Sequence, residues 1–172
     1  MAVLGVRNST LPQIALTQSQ TFVMPQDGNV CIHVIGGGGA GTSLGLKSGG
    51  AGGYCKKNSL AVVTGGSFTV VVGAGGPATR NGATPANGGN STVAGPGLSA
   101  TLTANGGISA SSSASGAGGA ASNGDVNNTG GAGASDGGGA VGVYGTGAAA
   151  TNAQLGGGRS DAAAEGINLS GF

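Results

Sequence analysis

The chain of 172 residues contains 42 glycines, and 6% of its residues are charged and 3% aromatic. Ordinary globular chains have about 7% glycine and about 25% charged residues, so this composition excludes a large conventional core and gives backbone hydrogen bonds an unusual weight. The net charge of +1 comes from scattered bases, which excludes the clustered basic surface of a nucleic-acid-binding protein.

The first residues show neither a secretory signal nor a membrane span. Residues 1–10 contain one arginine and no sustained apolar run, whereas a signal peptide needs a basic start followed by a hydrophobic stretch. No run in the chain approaches the roughly 20 apolar residues of a membrane-spanning helix. We therefore expect synthesis in a cytoplasm and no membrane span.

Residues 1–19 are expected to form an arm distinct from the residues that follow. Their apolar side chains show no clear period, and Pro12 interrupts any helix. An arm of this kind either crosses the domain or docks onto a partner. The candidate docking residues are Leu4, Val6, Leu11, Ile14 and Leu16.

Strand-forming residues dominate the chain from Thr21 to Thr103. The predicted strands span 21–24, 29–35, 54–63, 67–72 and 98–103. The turn signal Gly65-Gly66 predicts that 54–63 and 67–72 pair as an antiparallel hairpin. Residues 109–115 are predicted to form an exposed polar loop.

The stretch HVIGGGGAG, residues 33–41, contains the G-x-G-x-x-G spacing of a dinucleotide-binding loop. Such a loop must open a helix whose N-terminus faces the phosphates. The residues that follow, TSLGLKSGGAGG, are too rich in glycine for a helix, because each interior glycine costs roughly 1 kcal/mol relative to alanine. The acidic residue expected about 20 residues later is also missing between Asp27 and Asp125. We therefore predict no cofactor site.

The two cysteines, Cys31 and Cys55, are expected to be free thiols, because a chain made in a reducing compartment rarely forms disulfides. A disulfide between them stays an alternative. His33 falls on the same face of its strand as Cys31, but no further metal ligand is indicated, so we interpret His33 as structural. No nucleophile–base spacing and no carboxylate pair appears. We predict no metal site and no catalytic residue.

Glycine recurs every three residues near the end of the chain, at Gly130, Gly133, Gly139, Gly142 and Gly145. Three residues per turn is the period of the polyproline II helix. When every third residue lacks a side chain, extended segments can approach until their backbone N–H and C=O groups pair. The alternative is a flexible linker, but the apolar residues Val141, Val143 and 148–150 favour an ordered structure.

The order of these elements resembles the glycine-rich domain of bacteriophage tail-fibre and related virion proteins. The matching stretches are TFVMPQDGNVCIHVIGGGGAG, GGYCKKNSLAVVTGGSFTVVVGAGGPA, ANGGNSTVAG and LTANGG. The resemblance covers residues 20–107 closely and the glycine tracts to about residue 158 loosely. It implies an all-β fold: an antiparallel β-sandwich-like head with packed polyglycine II or polyproline II segments and essentially no helix.

The expected organisation is a docking arm over 1–19 and a single glycine-rich β domain over 20–172. Within that domain, 20–107 carries the β-hairpins and 108–158 carries the polyglycine II segments. Residues 159–172 form a glycine-poor C-terminal segment.

The resemblance also implies a virion protein, made in the host cytoplasm, that lies at a tail fibre or tail tip. Glycine-framed loops would bind a host envelope receptor, as in the phage adhesins with polyglycine II domains. The candidate receptor contacts are Arg80, Tyr144 and Arg159, which interrupt the glycine background with long side chains. The expected partners are other virion proteins and a host receptor, and a homo-oligomer stays open.

Three other functions are open to the same sequence. A capsid decoration or head-fibre protein docked by its N-terminal arm is the main alternative. An ice-binding protein is a further hypothesis, because bundled polyproline II helices can present a flat face. An enzyme has the least support, since the chain contains a single histidine and no catalytic spacing.

Overall fold

The structure, a computed structural model, describes residues 1–7, 13–42, 47–77, 85–134, 141 and 145–150. These residues form ten β-strands and no helix, so the predicted all-β fold is confirmed. The strands are β1 (Ala2–Arg7), β2 (Ile14–Leu16), β3 (Gln20–Val23), β4 (Gly28–Ile35), β5 (Tyr54–Val62), β6 (Ser67–Val71), β7 (Ser91–Ala94), β8 (Leu102–Ala104), β9 (Ala121–Ser122) and β10 (Val126–Asn128).

The strands form two five-stranded antiparallel sheets that face each other. Sheet A has the order β10-β5-β4-β1-β2, and sheet B has the order β3-β6-β7-β8-β9. Side chains from the inner faces of both sheets fill a small core. Its members are Leu16, Met24, Val30, Ile32, Val34, Cys55, Leu60, Val62, Phe68, Val70, Val93, Leu102 and Ala104. This arrangement confirms the predicted sandwich-like head.

The predicted hairpin of 54–63 and 67–72 is wrong, although both strands exist. β5 pairs with β4 and β10, whereas β6 pairs with β3 and β7. The turn at Gly65 therefore carries the chain from one sheet to the other. Leu60 and Phe68 are both buried in the common core. Alternating apolar residues suit two strands that face each other across a core as well as two that pair edge to edge, so the pattern could not decide between them.

The predicted strand 98–103 begins too early. The Leu98 amide donates to the Gly95 carbonyl at 3.3 Å, and Gly97 has a φ of 80°. Proline at the second position and glycine at the third are typical of a type II turn, and Pro96 precedes Gly97 here. β8 therefore begins at Leu102, and Leu98 packs against the core from the preceding loop.

The described part of residues 1–19 crosses the domain. β1 lies between β4 and β2 in sheet A and pairs with β4 from Ala2 opposite Val34 to Arg7 opposite Asn29. The N-terminal amine of Met1 donates to the carbonyl of Ile35 at 3.0 Å. Of the two alternatives for this arm, crossing the domain is therefore the one observed. Docking onto a partner stays a prediction.

Beyond the strands, the chain continues as extended stretches rich in glycine and alanine. The described residues contain eight of them, which we call the glycine segments: 36–41, 48–53, 73–77, 85–90, 105–110, 116–120, 130–134 and 145–150. Strands run directly into them, as β4 does into 36–41. Pairs of glycine segments therefore alternate with pairs of strands from residue 36 onward and are not confined to 108–158.

Backbone hydrogen bonds between the glycine segments repeat every three residues. In 48–53, the first and fourth amides donate to one neighbour, 130–134, and the third and sixth donate to another, 105–110. These bonds join Ser48 to Ala134 at 2.9 Å, Ala51 to Gly131 at 2.9 Å, Gly50 to Ile108 at 3.0 Å and Gly53 to Asn105 at 2.8 Å. A three-residue period without internal hydrogen bonds is that of the polyproline II helix. The predicted polyglycine II packing is therefore confirmed.

The predicted register of glycines near the end of the chain is observed at Gly130 and Gly133. The amides of Gly130 and Gly133 both donate to segment 116–120, each at 2.9 Å. Gly139 and Gly142 lie outside the described residues. Every third amide of this stretch therefore points to the same neighbour as far as the register can be followed.

Glycine is needed in these segments for close approach and not for an unusual backbone angle. The described glycines with positive φ are Gly28, Gly65 and Gly97, none of which lies in a glycine segment. A Cβ on Gly50 would overlap the carbonyl oxygen of Ala117, and one on Gly107 would overlap that of Gly50. Overlap with a neighbouring backbone also arises at Gly36, Gly37, Gly39, Gly49, Gly52, Gly53, Gly73, Gly76, Gly88, Gly106, Gly116, Gly118, Gly119, Gly130 and Gly133.

Each sheet continues into its own layer of glycine segments. The segments that adjoin β4, β5 and β10 extend sheet A, and those that adjoin β6, β7, β8 and β9 extend sheet B. Bonds between the layers include Gly50 to Ile108 and Gly37 to Gly89, both at 3.0 Å. The two-layer sandwich is therefore held by side chains at one end and by backbone groups at the other.

Two asparagines take part in the three-residue pattern with their side chains. The Asn87 Oδ1 atom accepts a hydrogen bond from the Ser109 amide at 2.8 Å. The Asn90 Oδ1 atom accepts one from the Gly106 amide at 2.9 Å. The two asparagines are three residues apart, and so are the two amides that donate to them. The side-chain oxygens therefore replace the backbone carbonyls that a neighbouring glycine segment would supply.

Replacing Gly107 with alanine should destabilise the fold strongly. The added methyl group meets the backbone of Gly50 and Ala51, which cannot move without breaking hydrogen bonds on both sides. Inserting a methyl group into packed structure costs about 1–3 kcal/mol, and we expect a loss at or above the upper end of that range. Chemical denaturation of both proteins measures it.

The matched control is Gly75→Ala. Gly75 is exposed, and the atom nearest to an added Cβ is the Gly38 carbonyl oxygen at 3.9 Å. Alanine there should leave stability unchanged or raise it by up to about 1 kcal/mol, because it restricts the unfolded chain. Equal effects of the two substitutions would contradict the account of close backbone packing.

Candidate functional site

The glycine segments end together at the side of the molecule away from the sheets. The Ala40 amide donates to the Ala86 carbonyl at 3.1 Å, and the Ala110 amide donates to the Ala40 carbonyl at 2.8 Å. We define the glycine tip as residues 40–42, 47–48, 76–77, 85–86, 110–116 and 133–134. Within these residues, Lys47 is the one charged side chain. The tip is thus a nearly neutral surface on a rigid base.

The structure describes the two ends of one connection and one complete turn at the glycine tip. The Thr42 amide donates to the Lys47 carbonyl at 2.9 Å. The Ser111 amide donates to the Ala114 carbonyl at 2.8 Å, and the Ser111 Oγ atom accepts from the Ala114 amide at 3.0 Å. Residues 111–114 are exposed, so the central part of the predicted polar loop 109–115 is confirmed. The Ser111 and Ala114 amides bond within the loop, and the Ser115 hydroxyl donates to the Ala134 carbonyl at 2.8 Å, so the loop is held by bonds both inside it and to segment 130–134.

All three predicted receptor contacts lie outside the described residues. Pro77 and Pro85, on either side of the stretch that contains Arg80, belong to the glycine tip. Gly145, which follows Tyr144, begins a segment whose Gly147 amide bonds to Thr129 next to β10, at the sheet end. Arg159 follows the last described residue, Ala150. The described neighbours of Arg80 and Tyr144 therefore lie at opposite ends of the glycine layers.

The predicted docking residues are distributed along one edge of sheet A. Leu4 and Val6 occupy β1, opposite Ile32 and Val30 of β4. Leu11 lies outside the described residues. Ile14 packs against the core, and Leu16 is 5% exposed within it. The side chains of Ile14 and Leu16 therefore serve this chain's own core, and a docking role for the group stays a prediction.

A chain of three side chains lies on the outer face of sheet A. The Cys31 Sγ atom is 3.3 Å from His33 Nε2, and His33 Nδ1 is 2.7 Å from the Tyr54 hydroxyl oxygen. Cys31 and His33 alternate with the core residue Ile32 along β4, so they share the face opposite the core. Tyr54 reaches them from β5, where His33 is paired with Lys56. The imidazole ring is thereby held by hydrogen bonds at both nitrogens.

The two cysteines are free thiols on opposite faces of sheet A. Cys55 pairs with Val34 and belongs to the core, whereas Cys31 faces outward. Both are buried and neither forms a disulfide. A disulfide between them would require the side chains of β4 or β5 to exchange the inner and outer faces of the sheet. The expectation of free thiols is confirmed.

Burial shifts the pKa values of this group. It raises the pKa of the Tyr54 hydroxyl well above its usual value of 10.0, so this hydroxyl keeps its proton. Burial and the nearby Lys56 lower the pKa of His33 below 6.5, so the imidazole is neutral at pH 7. Burial also raises the pKa of the Cys55 thiol to about 11. The outer face therefore holds a neutral imidazole between a thiol and a protonated phenol.

The sequence placed Cys31 and His33 on one face but gave no sign of Tyr54. Residues 36–53 separate β4 from β5, and the period of alternation along each strand does not fix their register. Only the observed pairing of Ile35 with Tyr54 brings the phenol beside the imidazole. His33 keeps a structural role here, since it joins two strands through side-chain hydrogen bonds.

The remaining described carboxylates form surface contacts. The Asp125 carboxylate accepts from Lys57 Nζ at 2.7 Å and from the Asn58 amide at 2.8 Å, and these bonds lower its pKa. The Asp27 carboxylate accepts from the amide and hydroxyl of Thr64, which lowers its pKa. No group of three or more metal-binding side chains occurs within the described residues. Both carboxylates therefore fix turns and strand ends.

The family comparison agrees with the packed glycine segments seen in the fold. A family model described as a glycine-rich domain matches residues 15–171. This chain belongs to the glycine-rich domain family. Comparison with curated proteins and with solved structures gave no significant match. Across the described part of this glycine-rich domain, no helix is long and apolar enough to cross a membrane.

The stability of this glycine-rich domain should fall as the pH drops from 7 to 5. Because the folded-state pKa of His33 lies below its unfolded value of 6.5, stability is fully present above pH 6.5. Below that pH the unfolded chain takes up a proton that the folded chain resists. We expect the melting temperature to decrease over this range.

In His33→Gln, most of that pH dependence should disappear. The difference between the two proteins isolates His33, because the N-terminal amine, Asp27 and Asp125, whose pKa values are also lowered, are present in both. A wild-type pH dependence in the variant between pH 7 and 5 would contradict the assignment.

Proposed function

We propose that this glycine-rich domain is a bacteriophage virion structural protein at a tail fibre or tail tip, and that it binds a host envelope receptor through the loops of the glycine tip. The observation that supports this most is the gathering of chain connections at one end of a rigid two-layer base. The Thr42–Lys47 connection, the Pro77–Pro85 connection and the turn 111–114 all leave from that end.

The physical character of the base suits an appendage. Backbone bonds in every direction hold the glycine segments without charged groups or a large core. Such a base fixes the points from which its loops leave before any ligand arrives, which reduces the entropy cost of binding. Function carried by loops on a rigid scaffold is a common arrangement in proteins.

Attachment to the particle would use the opposite end. Val23 at the end of β3 and Val63 after β5 are 54% and 63% exposed. The Met24 amide, next to Val23, donates to the Gly66 carbonyl at 2.8 Å, and the Gly66 amide donates to the Val63 carbonyl at 3.0 Å. These two valines therefore lie together at the end of the sheets that is away from the glycine segments. Other virion proteins are the partners this surface would take.

The second candidate function is a capsid decoration or head-fibre protein. The same exposed valines and the apolar residues of the first 19 favour attachment to a particle without requiring a receptor at the glycine tip. Immunogold labelling of intact particles of the source phage separates the two. Gold at tail or fibre ends supports the adhesin, and gold spread evenly over the head supports the decoration protein.

Replacing Arg80 with alanine should weaken adsorption of particles to host cells by about 10-fold or more, as expected when an interface arginine is removed. Arg80 lies in the sequence between Pro77 and Pro85, which belong to the glycine tip. The charge-matched control is Lys57→Ala at the sheet end, where an exposed ion pair with Asp125 contributes little to stability. Equal adsorption of both variants would remove Arg80 from the receptor site.

A further inference from the structure

The outer face of sheet A holds a nucleophilic side chain that the proposed receptor binding does not use. Cys31 is 7% exposed, and its Sγ atom lies 3.3 Å from an imidazole nitrogen. The contact is specific to this cysteine, since Cys55 points into the core and is fully buried. The same chain thus contains one thiol beside a base and one thiol isolated from any base.

Cys31 has an unusual backbone environment in both strands that pair with β4. Its partner position in β1 is Gly5, which has no side chain to cover the sulfur. On the other side, the pairing of β4 with β5 shifts between Val30 and Ile32, so Cys31 lies at a β-bulge. Bulges re-aim side chains and occur often next to reactive sites. A glycine therefore lies opposite Cys31 on one side and a bulge on the other, and Cys31 itself is 7% exposed.

The imidazole of His33 is suited to take the thiol proton. It is neutral at pH 7, because burial and Lys56 lower its pKa. When Nδ1 donates its proton to the Tyr54 oxygen, the lone pair of Nε2 points at the Cys31 sulfur. Tyr54 is 1% exposed and holds the ring in that orientation. Transfer of the thiol proton to Nε2 would leave the thiolate, which is the reactive species of a cysteine.

The charged and titratable groups around the sulfur are few. β5 contributes Tyr54 and Lys56 to this face, and Gly5 is the β1 residue opposite Cys31. β10 pairs Val126 and Asn128 with the same part of β5. Among the described side chains that the strand register places here, Lys56 is the one that carries a charge.

We propose that Cys31 is a modification site that takes a small disulfide. The Cys31 thiolate attacks one sulfur of the disulfide, a new S–S bond forms, and the original S–S bond breaks. The electron pair of the broken bond leaves with the second sulfur as a thiolate. The proton of Cys31 goes to His33 Nε2 and from there to solvent. Tyr54 is a positioning residue that keeps Nε2 directed at the sulfur.

Titration with 5,5′-dithiobis(2-nitrobenzoate) tests the proposal, because it is a small disulfide whose leaving thiolate absorbs visible light. We expect one thiol per native chain to react and two in denaturant. Cys55→Ala should keep the single native reaction, and Cys31→Ser should lose it. No rapid native reaction, or a native reaction that survives Cys31→Ser, would overturn the proposal.

Two further variants test the roles of the neighbours. His33→Gln should slow the native reaction at pH 7 by about 10-fold or more, because the sulfur loses its base. Tyr54→Phe keeps the ring and removes the hydroxyl, and should shift the midpoint of the pH–rate profile toward higher pH. Each variant is first shown to fold by its melting curve, and its total thiol count in denaturant controls the measurement. Unchanged rates and profiles in folded variants would overturn the assignment of His33 and Tyr54.

Discussion

The structure depends on how closely two backbones can approach. In the glycine layers, carbonyl oxygens of one segment occupy the space where a neighbour's side chain would begin. This closeness allows amides such as those of Gly50 and Gly53 to reach a separate segment at 3.0 Å and 2.8 Å. Because a polyproline II helix satisfies none of its own backbone groups, the neighbours must supply every partner. Glycine content, low charge and a small core all follow from that requirement.

The two sheets determine where the glycine segments start and how they are aligned with one another. A polyproline II segment has no side-chain core of its own to set its register. Here β4 and β5 are aligned by Val34 and Cys55, which face each other in the core, and the segments that follow keep that alignment toward the glycine tip. Side-chain packing thus specifies the register, and backbone bonds extend it away from the core.

Much of this architecture was readable from the sequence. Alternating apolar residues located β3, β4, β5 and β6 to within one or two residues, and the three-residue spacing of glycine predicted the polyglycine II packing. The hairpin of β5 and β6 was predicted wrongly, because alternation does not distinguish pairing strands from facing strands. β1 and β2 were missed since their residues show no period, and β7, β9 and β10 were missed since two to four residues are too few to show one. Tyr54 joined the group on sheet A only through strand register, which local patterns do not contain.

The account rests on specific backbone hydrogen bonds with a three-residue period, and these are directly observable. Nuclear magnetic resonance detects scalar coupling across a hydrogen bond, from an amide nitrogen to the accepting carbonyl carbon. The account predicts coupling from Gly50 to Ile108 and from Gly53 to Asn105, together with slow amide exchange at both glycines. Amide exchange at the rate of an unstructured peptide across the glycine segments, with no such coupling, would contradict it.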